Sequence, residues 1–380
     1  MPSHTSIHHP WFRAHPDWYV WADDDPPNNW RAAFGGPAWS RDERSGRWYL
    51  HSFYPEQPDL DWRNPEVRAA IGDVVRFWLE REVDGFRVDA VTGLAKDPEL
   101  RDDPPAAGEF PLPLHEEFAA LDHVHSLDGP GMPEALAAIR SAAGEAMLVG
   151  EVYLPTARLH HYLDHLDLVF AFEFLHARRD AARLAEVIEA AAGLERVAWA
   201  LSNHDFPRLQ SRFGQSHARL AAMLLLTLPG PSFIYQGDEI GMVDGPGADP
   251  PFDRHGRDPF RHPMQWDPGP AGGFTEGEPW LPAIDPDERS VAAQDGVEGS
   301  MLQLYRALIA LRPRLGPGIA GLEAVGEVLR FRRGDHLVAL NLGDREATVP
   351  DAPEVVLSTE AEHRPGRLAA GEGMVAGPRV

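Results

Sequence analysis

The sequence predicts an α/β fold, a parallel sheet covered by helices, followed by a small antiparallel β domain. Helical apolar periodicity alternates repeatedly with short apolar runs between residues 63 and 236. Proline- and glycine-rich polar stretches lie on either side of those repeats. The last part of the chain switches to the two-residue alternation of strands.

The first sixty or so residues are rich in Trp, Pro, Asn and Asp, with turn signals at Pro26-Pro27-Asn28-Asn29 and Phe34-Gly35-Gly36-Pro37. Trp11, Trp18, Trp21, Trp30, Trp39, Trp48 and Trp62 supply more aromatic surface than a disordered leader carries, so a packed, loop-rich subdomain is expected. Asn64-Pro65-Glu66 then reads as an N-cap, a first-position proline and a first-turn acid. Val67, Ala70, Ile71, Val74, Val75 and Trp78 follow at helical spacing. Asp84-Gly85 ends that helix, and Phe86–Val88 is strand-like. The unit recurs as Pro133–Ala143 with Met147–Val149, as Ala181–Ala192 with Val197–Leu201, and as Ser216–Leu228 with Ser232–Gln236. Residues 244–287 suit a long loop over the carboxyl edge of the sheet, and Met301–Leu311 is again helical. Glu327–Arg332 and His336–Leu342 read as antiparallel strands joined through Gly334-Asp335, with Glu354–Leu357 as a third strand.

Composition narrows the function. A formal charge of −24 disfavours a nucleic-acid surface, which needs concentrated positive charge. No run approaches the roughly 20 apolar residues of a membrane span. The amino end shows no charged segment followed by an apolar one, and a cytoplasmic location is expected. The chain has no cysteine, which removes thiolate nucleophiles and thiolate metal sites. Lys96 is the single lysine, so Schiff-base chemistry has one candidate.

Three acids follow apolar strand-like runs: Asp89, Glu151 and Asp205. Arg87 lies two residues before Asp89, so the two side chains project to the same side of the strand end. The carboxyl ends of strands are where chemistry is done in (β/α) barrels. Glycoside hydrolysis needs one acid to protonate the departing oxygen and a carboxylate on the opposite face of the sugar. Asp89, Glu151 and Asp205 supply a nucleophile, a proton donor and a third group that stabilises positive charge. Arg87 holds Asp89 ionised, and His204 is placed to bond sugar hydroxyls beside Asp205.

The segments Gly85-Phe86-Arg87-Val88-Asp89-Ala90, Gly150-Glu151-Val152 and Leu201-Ser202-Asn203-His204-Asp205 resemble three signature regions of the α-amylase family of glycoside hydrolases. Gln57-Pro58-Asp59-Leu60-Asp61 resembles the extra region of its oligo-1,6-glucosidase and α-glucosidase branch, where the last position is usually Asn. Tyr235–Met242 and Gly256–Asp267 look like that branch as well. The resemblance implies a catalytic (β/α)8 TIM barrel with an inserted subdomain and a carboxy-terminal antiparallel β domain. It divides the chain into residues 1–62 (the tail of the third barrel strand and the inserted subdomain B), 63–314 (the remainder of the barrel) and 315–380 (the β domain). It implies Asp89 as nucleophile, Glu151 as acid/base and Asp205 as transition-state stabiliser, with Arg87, His204, His4 and Arg261 binding substrate.

Pro2–Ser6 resembles the tail of the first signature region, so the family's first two strands and nearly all of the third are expected to precede Met1. The expectation is a barrel lacking its first strands, with open sheet edges and uncovered apolar surface. No cofactor is expected. Calcium is possible in this branch, but the region of its site is not present.

Other groupings read as structural. His161 and His165 stand four apart on a helix-like segment without the acid of a zinc motif, so packing or surface histidines are expected. His123 and His125 sit between loop-like flanks. The stripe Leu220, Met223, Leu224, Thr227 reads as core. The expected activity is a retaining α-glucosidase acting on short oligosaccharides, a small-molecule substrate, without nucleic-acid or membrane partners; oligomeric state is left open. One rival is a glucosyl-transferring or isomerising enzyme of the same family; another is a truncated or non-catalytic relative. Ala90 directly after Asp89, where relatives preferring α-1,6 bonds often carry Val, favours acceptance of α-1,4 bonds.

Overall fold

The computed structural model describes residues 3–107, 115–194, 196–350 and 352–378. The chain divides into two compact units, Met1–Glu173 and Phe174–Val380.

The first unit opens with the aromatic subdomain. Strands β1 (Trp21–Ala22), β2 (Trp39–Arg41) and β3 (Trp48–Leu50) form an antiparallel sheet in the order β1-β3-β2. Its core gathers Val20, Trp30, Ala38, Trp39 and Leu50. None of the seven tryptophans is exposed, which bears out the packed reading of this leader. Of the buried indole N–H groups, that of Trp30 donates to the Arg101 carbonyl and that of Trp39 to Asn28, whereas that of Trp62 is buried with no hydrogen-bond partner among the described residues.

The helix Pro65–Leu79 follows, capped as expected: the Asn64 side chain accepts from the Glu66 N–H at 2.9 Å. It buries Val67, Ile71 and Val75, each contributing about 1.5–3 kcal/mol, and packs on the helix Met132–Ala143. The apolar stripe stops there. Trp78, expected on the buried face, is 47% exposed and meets Phe77 edge-on, because helical spacing says which residues align, not how far a neighbour extends. Strands β4 (Gly85–Val88), β5 (Met147–Gly150) and β6 (Leu168–Phe170) run parallel, with Val88 opposite Gly150 and Val149 opposite Leu168. A side chain at Gly85 would collide with the Met147 carbonyl, so only glycine lets β4 start against β5. Strand β6 has three residues and was not legible as an element. His161 lies in the 3-10 helix Thr156–Asp164 and His165 just past it, so the α-helical alignment of that pair does not occur.

In the second unit the helix Ala181–Ala192, N-capped by Asp180, precedes β7 (Val197–Ala200). The helix Gln215–Thr227 precedes β8 (Ser232–Phe233), which is parallel to β7 and shorter than the expected run to Gln236. Leu220, Met223, Leu224 and Thr227 are all buried. Residues 244–287 carry only the short 3-10 turn Asp258–Phe260. After the helix Met301–Leu311 the chain builds an antiparallel sheet. Strands β10 (Val328–Arg333) and β11 (His336–Asn341) form the expected hairpin, with Gly334 at φ 60° in its turn. The third apolar run is β13 (Val355–Ser358), and it does not join the hairpin directly. It pairs with β15 (Gly373–Ala376), which lies beside β11, and β9 (Ala320–Val325) closes the other edge, while β12 (Ala347–Thr348) and β14 (Arg367–Leu368) pair antiparallel on their own. No helix among the described residues is long and apolar enough to cross a membrane.

Candidate active site

Register sets the first constellation. Val88 and Gly150 are paired across β4 and β5, so Asp89 and Glu151 are the first residues past two adjacent parallel strand ends. Arg87 forks between them, Nη1 at 2.6 Å from Asp89 Oδ1 and Nη2 at 2.6 Å from Glu151 Oε1. Directly after Asp89 the chain turns through Ala90 in the left-handed region, at φ 44°. That turn aims the Ala90 N–H at Glu151 Oε2, 2.8 Å away, while the Val91 N–H takes the Glu151 carbonyl. The glutamate is thus held on both oxygens and through its own backbone.

The two carboxyls also share a hydrogen bond, and their proton affinities are driven apart. Burial pushes Glu151 up to about 8, against the Arg87 charge and with help from the Asp89 charge. Burial pulls Asp89 the same way, but its bonds to Glu151 and Arg87 and the guanidinium charge hold it below the usual carboxylate range. At neutral pH the geometry therefore sets a protonated Glu151 beside an ionised Asp89.

His4 lies in this unit. Its backbone bridges to Asp59, its Nε2 lies 2.8 Å from Gln57 Nε2, and its ring packs 5.1 Å from Phe53. Burial lowers its proton affinity, with the Asp59 and Asp89 charges opposing, so a neutral ring results. Asp59 is wholly buried. It accepts from the Ser52 N–H and hydroxyl, and Lys96 Nζ lies 2.6 Å from its Oδ2. Lys96 also donates to the Gly93 carbonyl. The single lysine is thus a buried structural cation joining the segment that carries Gln57 and Asp59 to the turn after Asp89.

The second unit holds the other constellation. Asp205 sits in the loop after β7, shaped by Asn203, whose Oδ1 accepts from the N–H groups of Asp205 and Phe206. Asp205 Oδ1 meets Arg257 Nη1 at 2.6 Å and Arg261 Nη2 at 3.4 Å, and Oδ2 lies 3.3 Å from His204 Nε2. Arg261 also donates to the His204 carbonyl at 2.9 Å. Arg257 was not singled out from the sequence. Besides Asp205 it grips Asp253 with two hydrogen bonds, 2.8 and 2.9 Å, which hold the Asp253 carboxyl well below its usual range. Arg208 was missed as well. Wholly buried, it donates to the Gln236 carbonyl and its own N–H goes to Asp244, pinning the loop beyond Asp205 to the Tyr235–Met242 segment.

His123 and His125 serve structure: His123 bonds Ser126 and the Phe118 carbonyl, and His125 faces Asp97. Among the described residues no group of three or more His, Asp or Glu side chains is placed to hold a metal ion.

Comparison with known proteins agrees with this architecture. Residues 1–316 match the family model described as "Alpha amylase, catalytic domain", and residues 308–375 match "Domain of unknown function (DUF3459)". This chain belongs to the α-amylase family of glycoside hydrolases, and it has that family's TIM-barrel fold with a carboxy-terminal antiparallel β domain. It is 38% identical to a "Probable alpha-glucosidase" of Rhizobium meliloti (strain 1021), over 91% of this chain and 73% of that protein. It is 32% identical to an "Oligo-1,6-glucosidase" of Parageobacillus thermoglucosidasius, over 82% of this chain and 66% of the relative. Among solved structures it is similar to the trehalulose synthase of Pseudomonas mesoacidophila MX-45 (TM-score 0.85, 26% identity, 99% of this chain and 82% of that one). An alpha-glucosyl transfer enzyme superposes at TM-score 0.84 with 32% identity, over 98% and 81% of the two chains.

Proposed function

We propose that this chain carries out retaining α-glucosidase chemistry on short oligosaccharides. The observation that supports it most is the Asp89–Glu151 pair: adjacent strand ends, one guanidinium between them, and opposed proton affinities. In this reading Asp89 attacks the anomeric carbon while Glu151 gives its proton to the departing glycosidic oxygen. The bond to the leaving sugar breaks as the Asp89–glucosyl ester forms. Glu151, now ionised, takes a proton from water, whose oxygen displaces Asp89 and releases glucose. Asp205 supplies negative charge to the oxocarbenium-like transition states, and His204, His4 and Arg261 bind hydroxyls of the first sugar ring. Relatives named as glucosidases support the same substrate class.

Proton NMR of the glucose first released from nitrophenyl α-glucoside, whose leaving group is not a sugar, tests this. Retention delivers α-glucose first; β-glucose first would overturn the double displacement. In parallel, Asp89→Asn is expected to lose at least about a thousandfold in kcat on nitrophenyl α-glucoside. Unchanged turnover would remove Asp89 as nucleophile.

The likeness to a trehalulose synthase and to a glucosyl transfer enzyme favours a second reading, in which a sugar replaces water as acceptor of the same ester. Product analysis with maltose or sucrose at high concentration separates them, since transfer yields new disaccharides in place of free glucose.

A further inference from the structure

The long loop of the second unit carries two aromatic side chains that the catalytic reading leaves idle. Phe252 is 61% exposed and Trp280 48%, and their ring centroids lie 5.4 Å apart with the planes tilted by 47°. Contact with each other covers only part of each ring. Scattered single rings on a surface need no explanation, but two in contact on a fixed support make a face that a ligand can cover.

The support is fixed. The backbone N–H groups of Phe252 and Asp253 both donate to the Asp258 carboxylate, at 2.8 and 3.0 Å, and Asp258 is buried. Beside Trp280, Leu281 is buried, and the Pro282 carbonyl lies 2.7 Å from Nδ1 of the wholly buried His262. Rings projecting from an anchored backbone lose little conformational freedom when a ligand arrives.

Position selects the ligand. Asp253, the residue after Phe252, is joined to Asp205 by two guanidinium groups. Arg257 bonds Asp253 twice and meets Asp205 at 2.6 Å, while Arg261 lies 3.9 Å from Asp253 and 3.4 Å from Asp205. The ring pair thus starts one residue, a Cα step of about 3.8 Å, from the ion-pair network that holds Asp205. A pyranose carries C–H groups on its faces, which suit the electron-rich face of an aromatic ring, and hydroxyls on its rim, which the Trp280 N–H can meet. Glu276 and Glu278, both exposed and shortly before Trp280 in the chain, disfavour an anionic ligand. Resting on the α-glucosidase reading, we propose that Phe252 and Trp280 form an outer subsite on which a glucose unit beyond the first ring stacks.

Calorimetric titration of the Asp89→Asn chain, in which turnover is suppressed, tests this by comparing glucose, which fills the first-ring position alone, with maltotetraose. Phe252→Ala and, separately, Trp280→Ala should each weaken maltotetraose binding at least about fivefold and move glucose binding less than about twofold. Phe252→Tyr keeps the ring and should restore the affinity for maltotetraose. The Asp258 bonds come from the backbone, so Phe252→Ala leaves the turn's support in place. If either alanine variant fails to fold, the other decides. The proposal is overturned if maltotetraose binding stays within about twofold, or if glucose is weakened as much as maltotetraose. A dimer that the alanine variants dissociate while maltotetraose binding is unmoved would give the rings to a second copy of the chain and overturn it too. Failure of both sugars to bind the Asp89→Asn chain would sink the α-glucosidase reading, and the subsite with it.

Discussion

Replacing Lys96 by Met tests how the segment carrying His4, Gln57 and Asp59 is held in the first unit. Lys96 Nζ lies 2.6 Å from Asp59 Oδ2, with side-chain exposures of 7% and 0%, so water compensates neither charge when its partner leaves. Breaking a buried pair by removing one member costs about 3–5 kcal/mol. Two Ser52 donors remain on Asp59, which places the expected loss at the lower end, about 3 kcal/mol. With a urea m-value of roughly 3 kcal/mol/M, the midpoint should fall by about 1 M. Adding Asp59→Asn to Lys96→Met removes the orphaned charge and should recover a large part of that loss. KM should rise as well, because the His4 backbone bridges to Asp59 and Gln57 bonds the His4 ring. A urea midpoint moved by less than about 0.2 M would refute the reasoning, since it would mean that Asp59 reaches water without its lysine.

Three further outcomes follow from the two constellations. The pH profile of kcat/KM should rise as Asp89 ionises below the ordinary carboxylate range and fall as Glu151 loses its proton near about 8, giving a broad neutral plateau. A rate that keeps climbing above pH 9 would remove Glu151 as acid. Arg87→Met takes away a charge that lowers both carboxyls, so both limbs of that profile should move to higher pH; movement of one limb alone would mean that the fork serves one partner. Arg257→Ala strips the 2.6 Å partner from Asp205 and leaves Arg261 at 3.4 Å, so kcat/KM on nitrophenyl α-glucoside should drop on the order of tenfold to a hundredfold. A change below twofold would make Arg257 a loop anchor for Asp253 alone.

Elements with a strong local signature were legible in the chain. Asn64-Pro65-Glu66 begins a helix because the cap, the proline and the acid all act within one turn, and the structure starts the helix at Pro65. The hairpin around Gly334-Asp335 was legible for the same reason. Strand β6 was not, because three residues carry too little periodicity to separate strand from loop, and its identity comes from pairing with β5. Strand β15 has the same origin: Gly373–Ala376 is extended because β11 and β13 flank it.

The candidate site divides along the same line. Local sequence was enough to mark Asp89, Glu151 and Asp205, because each acid follows an apolar run, and to align Arg87 with Asp89, because alternate strand residues share a side. Tertiary structure alone decided that Arg87 also reaches Glu151, that Ala90 turns its N–H onto that carboxyl, and that Arg257 is the nearest cation to Asp205. It also decided that the lone lysine is a buried counter-ion for Asp59. Periodicity and caps act over a few neighbouring residues, whereas a proton affinity depends on charges and burial brought together from distant parts of the chain.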